Sequence, residues 1–169
     1  MKLRNWLIGA VVVLFISNGV FIYALSWKTN VITESKLNSY KIWMNHLYGA
    51  RTVYDTGEPF ASVYGYIRSG CAYPYVWAYD VTEFFYSTKQ TFAYMKSQCQ
   101  TLDQVARHLA VQKNPDPRYF ELLLDQLDLI LNELPEEVQS MKELKELEEK
   151  MLAVSEKIER MFDSMTKTS

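Results

Sequence analysis

Histidine and cysteine are scarce in this chain of 169 residues, with two of each, and so are glycine (six) and proline (five). So few turn-forming residues disfavour a loop-rich all-β domain and leave helices as the expected element. His46 and His108 fall on separate helical segments, and neither has Cys, Asp or Glu at metal-ligand spacing. The two cysteines stand 28 residues apart without a C-x-x-C motif, which argues against zinc or redox chemistry. There is no glycine-rich phosphate loop, and Asp55-Thr56-Gly57 and Ser69-Gly70 have turn chemistry rather than that of a nucleophile elbow. Asp80 and Glu83 lie one helical turn apart, a spacing that many surface carboxylates share. The expectation is therefore no enzyme, no cofactor and no metal.

A concentrated basic surface is also missing. Residues 1–27 carry +2, residues 28–100 carry +2 and residues 101–169 carry −6, so no nucleic-acid partner is expected. No Asn-x-Ser/Thr acceptor occurs, which fits a bacterial exported protein without establishing one.

What the chain does have is one long apolar run. Trp6 to Trp27 contains no charged side chain, and 22 helical residues reach about 33 Å, enough for a hydrocarbon core of about 30 Å. Trp6 at one edge and Tyr23 and Trp27 at the other suit headgroup depth. The expected organisation is a cytoplasmic stub over 1–5, a transmembrane signal-anchor helix over 6–27 and an extracytoplasmic helical domain over 28–169. A cleaved signal peptide is the alternative, but signal h-regions are shorter than this run. Asn18, near mid-span, is either a tolerated polar residue or a helix–helix contact.

Orientation is not decided by charge, because Lys2 and Arg4 before the span are balanced by Lys28, Lys36 and Lys41 after it. The position of the span and the pairing of Cys71 with Cys99 as a disulfide both favour export. The expected location is the inner membrane, single-pass, with the bulk of the chain periplasmic or at the cell surface.

Beyond the span the pattern predicts an all-α bundle. Leu37, Tyr40, Trp43, Met44 and Leu47 have helical spacing, in a helix that either continues the span or restarts near Thr33. Asp55–Pro59 signals a turn. Phe60, Val63, Tyr64 and Ile67 make a short helix stopping at Ser69-Gly70, with a strand over 63–67 as an alternative. Residues 71–75 form a connector, and Val76 to Cys99 a further helix. Thr101-Leu102-Asp103-Gln104 matches a capping box and predicts a new helix start. Asp116-Pro117 predicts another, ending before Pro135. The last helix, from Glu136, carries Leu144, Leu147, Met151, Val154, Ile158 and Met161 at alternating three- and four-residue spacing, a coiled-coil seam. With the preceding helix it forms an expected antiparallel hairpin, so that 28–99 is the aromatic-rich part and 100–169 the hairpin part. The seam packs either within the chain or against another copy or protein.

Ten of the twelve tyrosines lie between Tyr40 and Tyr94. Tyr64, Tyr66, Tyr73, Tyr75, Trp77 and Tyr79 surround Cys71 and are expected to form a candidate interaction surface, since such amphipathic rings are enriched where proteins bind. The functional expectation is a membrane-anchored, non-enzymatic interaction or scaffold protein of an envelope assembly. Its partners are the lipid bilayer and a protein partner or homo-oligomer. The alternative is a ligand-sensing bundle that signals through a partner.

Overall fold

The computed structural model of the chain describes residues 2–78 and 88–167, with the side chains of 2–10 and 166 left aside. Among the described residues there is no strand. Six helices follow in order: α1 (Lys2–Asp55), α2 (Phe60–Trp77), α3 (Lys89–Val111), α4 (Pro117–Glu133), α5 (Met141–Glu146) and α6 (Glu148–Lys167). The chain divides into two units, 1–36 and 37–169.

In the first unit, α1 is long and apolar enough to cross a bilayer, and none of its most apolar stretch is buried. Its polar side chains turn back on their own helix. Ser17 Oγ donates to the Leu14 carbonyl at 3.0 Å and Thr29 Oγ1 to the Leu25 carbonyl at 2.8 Å. The helix does not restart at Thr33. No glycine or proline stands between Val20 and Tyr48, so nothing in the covalent chain interrupts it.

The second unit is a bundle around one buried cluster. The last turns of α1 contribute Tyr40, Trp43, Met44 and Leu47. The Tyr40 hydroxyl donates to the Pro135 carbonyl at 2.5 Å, and burial above all pushes its pKa well up, so it stays a donor. α1 and α2 meet through an exchange of glycines. A Cβ on Gly49 would lie 2.6 Å from the Tyr66 ring, and one on Gly70 would lie 2.6 Å from His46 Cβ. Each helix thus lends a glycine to a ring-bearing residue of the other, and the His46 and Tyr66 rings stand 6.0 Å apart. α1 does not fade at Gly49, where the helical spacing of the sequence weakens, but runs on to the Asp55–Pro59 turn. Glu58 N–H bonds the Val53 carbonyl and Gly57 N–H the Tyr54 carbonyl, with Gly57 at φ 73°, the geometry of a Schellman stop.

Three expected boundaries are displaced. α2 runs through Ser69-Gly70 and the expected connector to Trp77, with Pro74 buried inside it. Residues 63–67 are helical rather than a strand. Gly70 serves close packing there, not termination. Val76 and Trp77 accordingly end α2 instead of opening the next helix.

α3 runs through Thr101 without a break. Buried Phe92, Met95, Cys99, Leu102, Val105 and Leu109 keep one helical phase across it, and Thr101 Oγ1 bonds back to the Ser97 carbonyl at 3.4 Å. The capping-box pattern therefore sits mid-helix, outweighed by a continuous apolar stripe.

The last helix begins at Met141 rather than Glu136. A capping pair is present here: Glu143 N–H bonds Ser140 Oγ at 3.2 Å, while the Glu143 carboxylate accepts from Gln139 N–H at 2.8 Å. α5 and α6 are separated at Leu147. The Asp116-Pro117 start holds, with Arg118 N–H on Asp116 Oδ1 at 3.0 Å.

Candidate functional site

The pairing of Cys71 with Cys99 organises the tyrosine-rich helix. The two residues form a disulfide with Cα atoms 5.4 Å apart. In a helix running from Val76 to Cys99, Cys99 would stand at the far end from Cys71. Because Cys71 lies within α2 and Cys99 near the middle of α3, the disulfide instead joins two adjacent helices side by side. Both cysteines are buried.

From that fixed point the tyrosines divide between the two flanks of α2. At 100° per residue, Tyr66, Tyr73 and Trp77 fall within a narrow arc on one flank, and Tyr64 and Tyr75 on the other. On the α1 flank, Tyr66 lies over Gly49. Trp77 Nε1 donates to Ser39 Oγ at 2.8 Å, and its ring stands 6.5 Å from that of Phe92. On the α3 flank, Lys96 Nζ sits 5.5 Å from the centre of the Tyr75 ring. Arg107 there pairs with Asp103 at 2.6 Å. That carboxylate first and the Tyr64 hydroxyl second raise the guanidinium's pKa.

The five predicted surface residues that are described, Tyr64, Tyr66, Tyr73, Tyr75 and Trp77, therefore lie on two flanks rather than one face. Tyr64 and Trp77 are half-buried and packed on the core. Tyr66, Tyr73 and Tyr75 are exposed at 41%, 39% and 36%. Tyr79 lies outside the described residues. Val76, 65% exposed between the flanks, was not among the residues expected at the surface. Its signal was present in the sequence: Val63, Ile67, Cys71, Pro74 and Ala78 continue a single buried phase through the helix, which leaves position 76 pointing away.

The predicted seam is core. Leu144, Leu147, Met151, Val154 and Ile158 are buried, with Met161 packed at the edge. α6 packs on both α3 and α4. The register against α3 is set by polar contacts. Gln98 Nε2 donates to the Met151 carbonyl and to Ser155 Oγ, both at 3.1 Å, and Ser155 Oγ donates to the Tyr94 carbonyl at 3.3 Å. Lys157 reaches Glu133 of α4 at 2.9 Å.

No family model, curated protein or solved structure matches this chain. Its chemistry must be argued from its own residues. Among the described residues no group of three His, Cys, Asp or Glu side chains could hold a metal ion. His108 stacks on Tyr119 with ring centres 3.9 Å apart, and His46 Nδ1 pairs with the Ile42 carbonyl at 2.7 Å. Both rings are thus engaged by their immediate neighbours. What the arrangement offers is a rigid, disulfide-held helix that presents aromatic side chains outward.

Proposed function

We propose that this chain is a single-pass membrane protein whose 37–169 unit lies outside the cytoplasm and acts by contact, as an accessory or scaffold subunit of an envelope assembly. The observation that carries this reading is the set of exposed rings Tyr66, Tyr73 and Tyr75 on a helix held by a buried disulfide. Rings held rigidly give large contact area for little loss of side-chain freedom on binding. Membrane anchoring is supported by the apolar, unburied stretch of α1. Location outside the cytoplasm is supported by the disulfide, which persists in oxidising compartments. The buried seam favours an intramolecular role for α6, leaving α2 as the contact surface.

The test is cross-linking and affinity purification of the full chain from its native membrane, with and without Tyr66→Ala and Tyr73→Ala. The expected result is a specific partner whose recovery falls in the variants while the protein's own abundance holds. Recovery of the same proteins with wild type and variants would remove α2 as the contact surface. Labelling Cys71 and Cys99 from each side of the membrane, before and after reduction, tests sidedness independently.

A further inference from the structure

One flank of α2 has a chemistry of its own. Tyr66 and Tyr73 are both exposed, and their spacing in sequence sets them within about 20° of one another and about 10.5 Å apart along the helix axis. Between them on that flank come only Ser69 and Gly70, so no long side chain fills the interval. Across from it on α1, Asn45, Gly49 and Thr52 follow at helical spacing, and the Tyr66 ring lies over Gly49. None of these residues is charged. The hydroxyls of Tyr66, Ser69 and Tyr73 and the amide of Asn45 have no hydrogen-bond partner among the described residues.

That combination selects among the common ways in which a protein holds a partner's segment. Strand addition needs a sheet edge, and the described residues contain no strand. An acidic or phosphorylated motif needs clustered arginine, whereas this flank is uncharged and Arg68 stands on the other. An amphipathic helix needs an apolar groove. Here the Tyr66 ring fills the crossing at Gly49, and no Leu, Ile, Met or Phe of 37–77 is exposed. The flank fits instead a proline-rich segment in the polyproline II form, which docks on aromatic rings. One turn of that form rises about 9.3 Å, close to the separation of the two tyrosines. Its backbone makes no internal hydrogen bonds, so its carbonyls can accept from the unpaired hydroxyls and amide.

We infer that the protein partner reaches this chain through a proline-rich, polyproline II segment laid across Tyr66 and Tyr73. The inference rests on the contact reading above and deepens it by naming the chemistry of the partner's docking segment. A segment stiffened by proline loses little freedom on docking, as do the rings that receive it.

The test uses the full chain in detergent micelles and a fluorescein-labelled decaproline peptide, read by fluorescence anisotropy, with a glycine–serine peptide of equal length as the comparison. The expected result is saturable binding of decaproline that exceeds binding of the comparison peptide and weakens roughly fivefold in Tyr73→Ala. Ser69 is exposed, so Ser69→Leu blocks the interval between the rings without entering the core, and it should weaken binding to a similar extent. Val111→Ala, at the exposed end of α3, should leave binding unchanged. No binding of decaproline, equal binding of the two peptides, or binding unaltered in both flank variants would overturn the inference. Partner recovery from the native membrane keeps the two readings apart. If Tyr66→Ala and Tyr73→Ala lower recovery but decaproline does not bind, α2 remains the contact surface and the polyproline segment falls. If recovery is unchanged in those variants, the contact reading fails and takes this one with it.

Discussion

At the residue scale, the two close-packed glycines should behave differently when a methyl group is added. The added Cβ at Gly70 meets His46 Cβ, an atom fixed to its backbone, whereas at Gly49 it meets the ring of Tyr66, which is partly exposed and can swing outward. Gly70→Ala should therefore destabilise the bundle by about 1–3 kcal/mol, and Gly49→Ala by less, offset by the gain in helix propensity. Denaturant unfolding of the full chain in micelles, followed by near-ultraviolet circular dichroism, reads the order; the reverse order would mean that the α1–α2 crossing lies elsewhere. Gln126 makes the opposite case. It is buried on α4 with neither amide atom hydrogen-bonded among the described residues. Gln126→Leu should raise stability by about 1–3 kcal/mol, because an unpaired buried amide is removed. A fall in stability would show that the amide has a partner, such as an ordered water.

At the element scale, two capping patterns compete. Thr101-x-x-Gln104 and Ser140-x-x-Glu143 look alike on paper, yet only the second caps a helix. Ser140→Ala should cost about 1 kcal/mol, whereas Thr101→Ala should change thermal stability little. The distinction was legible in the apolar phase, which runs unbroken through Thr101 but is interrupted by Pro135-Glu136-Glu137 before Ser140. The bundle's helices are also tied by exposed ion pairs. Glu137 with Lys41 and Glu133 with Lys157 hold both carboxyls below the ordinary glutamate range, mainly through the hydrogen bond with each lysine. A lowered folded-state pKa means that the unfolded chain binds more protons on acidification. The stabilisation is thus complete above the ordinary glutamate pKa, about 4.3, and is lost as the pH falls through the lower folded values. The slope of stability against pH below about 4.5 should flatten in Glu133→Gln/Glu137→Gln, which an acid titration of the unfolding midpoint would detect.

At the scale of the whole molecule, the disulfide is the strongest single tie between the tyrosine-rich helix and the rest of the bundle. Its partners are 28 residues apart in sequence. Closing a loop of that length in the unfolded chain is worth about 3–4 kcal/mol. Reduction, or Cys71→Ala/Cys99→Ala, should lower the unfolding midpoint accordingly. It should also weaken partner recovery through the exposed tyrosines if the helix must be held rigid to bind. A midpoint unchanged by reductant would mean that the native pair is not bridged.

The sequence by itself determined the all-helical class, the apolar stretch of α1, the turn at Asp55–Pro59, the start at Asp116-Pro117 and the cysteine pair. Each of these rests on local chemistry: an uninterrupted apolar run, a residue able to take positive φ, a side chain able to cap, two thiols. Tertiary structure decided the rest. Whether Gly70 ends a helix or admits His46 depends on what packs against it. Whether Tyr64, Tyr66, Tyr73, Tyr75 and Trp77 form one surface or the two flanks of a helix depends on where that helix buries its other side. The seam of α6 met its partner inside the chain because α3 and α4 offer matching apolar stripes, and a period of three and four residues is the same whichever helix answers it.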